Sequence, residues 1–524
     1  NSNIAGAKWK SRGDGINRAY GYAYDNANRL TTADFSQQNS SGASWTKDQK
    51  DFTLSGLNYD LNGNISTMTQ KGMVGTAIAT IDQLAYTYKA NSNKLMAVTD
   101  PSSTNNAGLG DFINGTNTGD DYAYDANGNL TKDLNKNITS ITYNHLNLPE
   151  IITVSGKGSV KYQYDAAGNK LKKSVTDNTS ASAKTTTTDY IGGFVYQNDE
   201  QQLMSHEEGR IRPIIASGQP LNYTFDYFVA DYLGNVRVVL TEQTDLGQYV
   251  ATMETDNAAT EKQLFSNIEE TRTAKPVGYP QDETSKKNEF VAKLNAKEGG
   301  KKIGPSLVLR VMAGDTVQMG ARVFYKSAGP KYNRTVKPED MVISLIQAFG
   351  GGEQSAFSHG VGRPAAFTPF SNLTGNDYQR LKEKDPDNPI KDKPKAYLNF
   401  VLFDDQFKLV EENSGVRSVK AEPDQLQTLA VEKMPVKNTG FLYVYTSNET
   451  EQDVLFDNVT VAAANGPLLE ESHYYPFGLV MAGISSQAPG KLENLRKFNK
   501  ASELQHKEFS DGSGLELYTT NLRT

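Results

Sequence analysis

Aspartates recur in this chain in one setting. Tyr122, Tyr124, Asp125, Gly128 and Asn129 spell Tyr-x-Tyr-Asp-x-x-Gly-Asn, and Tyr162, Tyr164, Asp165, Gly168 and Asn169 spell it again. Looser copies are Tyr22, Tyr24, Asp25 with Asn28, then Tyr59, Asp60, Gly63, Asn64, then Tyr86, Tyr88 with Asn93, and Tyr143, Asn144, Asn147. Carboxylates in pairs are the material of general acid and base catalysis. An aspartate that opens a tight turn, however, accepts hydrogen bonds from the backbone N–H groups ahead of it. That setting accounts for Asp25, Asp60, Asp125 and Asp165 without catalysis. The five histidines, His145, His206, His359, His473 and His506, show no i, i+4 or short-loop pairing, so no zinc site is expected. With no cysteine, the chain has no thiol nucleophile, disulfide or cysteine-ligated metal.

The elements that hold these residues follow from their spacing. Two tyrosines at i and i+2 share one face of an extended strand, and Asp-x-x-Gly is turn chemistry, with glycine where φ must be positive. Each copy therefore reads as strand, turn and strand, repeating at about 20 residues or about twice that. The tyrosine rings suit a half-buried β surface better than a row of ligand platforms. Strands are expected at 138–143, 151–155, 159–164, 194–197, 223–230 and 235–241, and the whole is read as one continuous antiparallel sheet. Tyr (27) and Gly (44) at a hydrophobic content of 37% agree with an all-β protein rich in turns.

The repeat resembles the YD-repeat of the RHS family. The resemblance sharpens at Tyr232-Leu233-Gly234-Asn235-Val236-Arg237 and at His473-Tyr474-Tyr475-Pro476-Phe477-Gly478, which look like the family's two core signatures, and continues through Gly514 to Tyr518 towards Leu522-Arg523. It covers roughly residues 1–245 and 466–524. It implies a curved antiparallel β-shell, a cocoon that holds a C-terminal toxin or effector, with further RHS repeats of the same protein upstream. In the family a self-cleaving aspartyl site follows the arginine that matches Arg523, so it would lie beyond Thr524. Asp100-Pro101 and Asp385-Pro386 stand in the wrong context for it, and no catalytic residue is assigned. His473 is expected to brace the Leu-Gly-Asn-Val-Arg turn.

Arg237 and His473 stand more than 200 residues apart, wider than the family's spacing. The chain is therefore divided into an RHS shell over 1–247, an insert over 248–465 and a return to the RHS core over 466–524. Within the insert, 258–265 reads as a short helix, 341–349 as strand or helix, and 380–395 as an exposed connection; strands are expected at 306–312, 316–325, 396–404, 439–447 and 454–462. The insert resembles a jelly-roll-like carbohydrate-binding module. That likeness implies a glycan or surface-protein ligand, and a structural calcium held by Glu269 (or Glu270) and Asp457. Gly350 to Gly352, with Phe357 and His359, is a candidate binding loop.

A net charge of −7 without long basic runs argues against nucleic acid. No apolar run approaches the roughly 20 residues of a membrane span. The expectation is a non-enzymatic, secreted or surface-exposed bacterial protein of the Bacteroidetes type that encapsulates and presents a toxin and engages secretion machinery. A cell-surface adhesin or wall-associated scaffold without cargo is the alternative.

Overall fold

The computed structural model describes residues 3–102, 110–215, 218, 220–281, 287–327, 335–350, 369–385, 387–389, 392–499 and 502–519. The protein is all-β, with antiparallel sheets and a few short helices. Alternating tyrosine, threonine and aliphatic residues run as strands, and each Asp-x-x-Gly reverses the chain into the neighbouring strand.

The repeats form two open sheets where one was expected. An 8-stranded sheet runs from the strand Gly6–Lys10 to the strand Leu95–Thr99, and a 14-stranded sheet contains the strands from Tyr122–Tyr124 to Val236–Thr241. The strands at the seam are joined by a long connection rather than a tight turn, which breaks the ladder. Asp121 bridges the break: its N–H donates to the Met96 carbonyl at 2.7 Å, and its carboxylate accepts the Val98 N–H at 2.8 Å.

The chain then enters a β-sandwich. Leu246–Ala251 and Phe290–Leu294 share one side of the long strand Val454–Ala464, and Thr316–Phe324 and Gln427–Pro435 continue the sheet beyond its other side. The facing sheet orders Ile303–Val311, Gly440–Asn448, Ala396–Phe403 and Leu409–Ser418. Leu294, Leu309, Val317, Val323, Leu398, Leu402, Val444 and Phe456 interdigitate between the sheets. The segment 341–349 lies within a helix, Pro338–Gly350, which with the helix Gly375–Glu383 covers the outer face of the four-stranded sheet. Met341 and Leu345, one helical turn apart, and Leu381 of the second helix pack on Val401, Phe403, Tyr443 and Tyr445. The strand Ala396–Phe403 is consequently buried along its whole length. The first four residues of the expected connection 380–395 belong to that second helix, which Thr374 opens with a capping box to Asp377.

After the sandwich, Leu468–Glu471 returns to the 14-stranded sheet beside Val236–Thr241. The following segment runs across both repeat sheets. Tyr475, Met481 and Ile484 pack with Tyr20, Phe35, Phe52 and Met73, while Phe509 and Leu515 pack with Ile138, Val160 and Val175.

Candidate functional site

At each repeat the aspartate closes a cage on the backbone ahead of it. Asp60 Oδ1 accepts the N–H groups of Asn62 and Asn64 at 2.9 and 2.8 Å, and its Oδ2 accepts Asn64 Nδ2 at 2.8 Å. Asp165 repeats the pattern with Ala167 and Asn169, and Asp125 with Asn129. The asparagine side chain, then the backbone N–H groups, hold the Asp60, Asp125 and Asp165 carboxyls below the ordinary range. They are turn acceptors, kept ionised. Gly128, Gly168 and Gly234 have φ near +85°, the conformation that requires glycine at this point of the turn.

The second tyrosine of a repeat does what spacing alone did not reveal. Its hydroxyl donates to a backbone carbonyl just past the turn of the preceding repeat: Tyr59 to Leu30 at 2.7 Å, Tyr88 to Ile65 at 2.8 Å, Tyr124 to Leu95 at 2.9 Å and Tyr143 to Leu130 at 2.6 Å. Tyr24 reaches Ile4 in the same way at 2.9 Å. These five tyrosines thus rivet each of their repeats to the segment before it. Tyr164 instead rests its ring 6.2 Å from Tyr162.

The two core signatures meet in space. Asp231 closes the same cage on Leu233 and Asn235 and also holds Arg237 Nε at 2.8 Å. The Arg237 guanidinium lies 4.9 Å from the centre of the Tyr474 ring, and the Tyr474 hydroxyl donates to the Val236 carbonyl at 2.7 Å. Asn235 Oδ1 accepts the Asn499 N–H at 3.0 Å. Tyr475-Pro476-Phe477-Gly478 is the same reverse turn with tyrosine in the aspartate position: Tyr475 N–H to Leu479 O at 2.9 Å and Gly478 N–H to Tyr475 O at 3.0 Å. Tyr475 then reaches back to the Lys71 carbonyl at 2.7 Å. A side chain at Gly478 would collide with the Phe498 ring. His473 is buried beside Glu471 at 3.4 Å and Ser11 at 3.4 Å, and stacks 6.2 Å from Trp9. Burial lowers its pKa below that of an ordinary histidine.

A buried charge cluster pins the return segment to the 14-stranded sheet. Asp226 accepts Arg210 Nε at 2.8 Å and Arg212 Nε at 2.6 Å, and Arg210 donates onward to the carbonyls of Glu493 and Leu492. Opposite charges so far apart in sequence leave no motif to find.

The two carboxylates nominated for calcium are each given a cation by the protein itself. Asp457, fully buried, faces Lys275 Nζ at 3.1 Å, and Glu269, at the surface, holds Lys262 at 2.8 Å and Arg272 at 2.6 Å. The candidate loop at 351–352, 357 and 359, and Arg523, lie outside the described residues. A different acidic group emerges: carboxylate oxygens of Asp82, Asp100 and Asp111 lie within 4.8 Å of one another, a donor set suited to a hard cation. Burial, with Asp100 and Asp111 as like charges, pushes the Asp82 carboxyl up to about 6. In the sequence Asp100 stands out only as half of an Asp-Pro pair.

On the sandwich, a groove of about 260 Å³ opens between the strands Leu409–Ser418 and Gln427–Pro435, lined among others by Asn413, Arg417 and Lys433.

No protein-family profile matches the chain, and no curated protein matches it. Among solved structures, TcdB2-TccC3 pairs with 44% of this chain at 12% identity and a TM-score of 0.25. The chain covers 15% of that structure's length. The CBM22-1-GH10 modules of Clostridium thermocellum xylanase 10B, complexed with xylohexaose, pair with 38% of this chain and 26% of their own at 11% identity and a TM-score of 0.19. An exo-β-1,3-galactanase of Phanerochaete chrysosporium pairs with 87% of this chain and 81% of its own at 7% identity and a TM-score of 0.14. Similarity at this level carries no function across, so the functional reading rests on the residues described above. Among the described residues no helix is long and apolar enough to cross a membrane.

Proposed function

We propose that this chain is a non-catalytic wall segment of an RHS-type shell, secreted or displayed at a bacterial surface, that sequesters and presents a toxin or effector carried on the same polypeptide. One observation supports the reading above others: the return segment crosses a single face of both repeat sheets and is held there by Tyr475 to Lys71, Asn499 to Asn235 and the Asp226 cluster. A passenger continuing from the last described strand, Leu517–Thr519, would set out from that same face. The repeat aspartates serve the turns, each bonded to the backbone ahead of it and none paired with another as acid and base. The sandwich, which packs on the repeat region through Gly13–Thr439 and Gln406–Gly483 contacts, offers its edge groove to a glycan.

The test uses the chain with its natural downstream sequence. Protease digestion should leave the passenger intact for as long as the wall resists, and Asp226→Ala should expose it at lower protease. A passenger cut as fast in the intact protein as alone would overturn the reading and favour a scaffold without cargo. Titration of the chain with oligosaccharides, repeated with Arg417→Ala, tests the groove; binding that survives the substitution removes it.

A further inference from the structure

The outward face of the 14-stranded sheet carries an aromatic surface that the wall itself does not use. On the strand Asn222–Ala230 the residues alternate: Thr224 and Asp226 are buried, while Tyr223 (43% exposed), Phe225 (39%) and Val229 (50%) face out, with half-buried Tyr227 between them. Register carries the surface sideways. Ile211 lies opposite Phe225, Met204 opposite Ile211, and Phe194 opposite Met204. Phe225 and Tyr227 stack at 6.5 Å, with His206 edge-on to both at 6.0 Å. From Phe194 to Phe225 the face crosses four strands, roughly 15 Å at the usual strand spacing. Contiguous apolar surface of this kind marks an interaction site.

Its charge is one-sided. The Tyr227 hydroxyl donates to Glu242 at 2.7 Å, and Glu207 and Glu208 form the turn beside His206. The arginines of these strands are engaged elsewhere, Arg210 and Arg212 by Asp226 and Arg237 by Asp231. A second copy of this chain would set the same glutamates against each other. We infer that this face docks a cationic amphipathic protein segment, whose apolar side chains lie on Phe225, Tyr227 and Met204 while its lysines or arginines meet Glu208 and Glu242 and the ring faces.

The probes are two 12-residue peptides, one of alternating lysine and valine and one of alternating glutamate and valine, titrated against the full chain by fluorescence anisotropy, with a neutral oligosaccharide as a third arm. The lysine peptide should bind at least tenfold more tightly than the glutamate peptide and weaken as salt rises. Glu208→Gln with Glu242→Gln should lower its affinity about tenfold, and Phe225→Ser should do so independently. Glu411→Gln with Glu412→Gln, the same charge change on the sandwich, should leave it within twofold; circular dichroism of each variant controls for folding. Equal affinity for both peptides, indifference to the Glu208 and Glu242 changes, or preference for the oligosaccharide would each overturn the inference. So would concentration-dependent dimerisation of the chain that Phe225→Ser abolishes.

Discussion

The repeat sheets and the sandwich are both antiparallel β structure, yet they are held together by different forces. Between the sandwich sheets lies a dry apolar layer, and helices cover the back of one sheet, so Ala396–Phe403 is buried on both faces. Such burial is non-directional and scales with the apolar area removed from water. In the repeat sheets many strand residues are only half-buried, as in Tyr122–Tyr124 and Lys184–Ile191. There the work falls to directed bonds: aspartate cages at the turns, tyrosine hydroxyls between repeats, and a return segment laid across the face. The apolar clusters of the repeat sheets are completed by the return segment, and directed hydrogen bonds tie one repeat to the next.

The sharpest break in this contrast is at Asp226. Alanine there leaves Arg210 and Arg212 buried without a counter-charge, and should cost about 3–5 kcal/mol of repeat-sheet stability. Both tryptophans, Trp9 and Trp45, lie in the 8-stranded sheet, which the return segment ties to the 14-stranded one, so their fluorescence during urea unfolding reads the repeat region through that tie. Leu398→Ala tests the other side, removing a fully buried side chain from the sandwich at about 2–5 kcal/mol. Far-UV circular dichroism should register that loss while the tryptophan midpoint moves less.

Acid should separate two kinds of aspartate. Asp82 is raised to about 6 from an ordinary 3.8, so its contribution is fully present below about pH 4 and is lost as pH rises through 6. Gln70 Nε2 donates to Asp82 at 3.0 Å, and with that amide turned to accept from the new side chain, Asp82→Asn should stabilise the protein by about 1–3 kcal/mol at pH 7.5 and have little effect at pH 4. The turn aspartates Asp60, Asp125 and Asp165 are lowered, so their contribution is present above 3.8 and is lost as pH falls further. Urea midpoints from about pH 2.5 to 8 in both proteins check both signs. A smaller effect is expected at the seam between the sheets: Tyr124→Phe removes the bond to the Leu95 carbonyl and should cost about 1 kcal/mol. The smallest concerns calcium. With Lys275 already on Asp457, and Lys262 and Arg272 on Glu269, adding calcium or EDTA should leave the sandwich melting temperature unchanged. A clear rise with calcium would mean that the ion displaces Lys275.

Much was readable before any fold was in view, wherever the determining contacts are local. Asp-x-x-Gly names a turn because every bond of its cage falls within four residues, and the helix Ala258–Leu264 and the strand Phe194–Gln197 follow from short windows in the same way. The segment 341–349 stayed ambiguous for a physical reason. A short apolar run suits a buried strand or a helix equally, and only its packing on the aromatic outer face of the four-stranded sheet decided for the helix.

By itself, then, the sequence determined the all-β class, the turns and the alternation of half-buried strands, since these depend on backbone preference and neighbours a few residues away. Only the tertiary structure decided which carbonyl each tyrosine reaches, that the ladder breaks at Asp121, that Asp226 gathers two arginines, that Asp82, Asp100 and Asp111 converge, and that Glu269 and Asp457 go to different cations. Those pairings depend on which distant strands lie side by side and on how burial raises the cost of an unpaired charge, and neither is set by spacing along the chain.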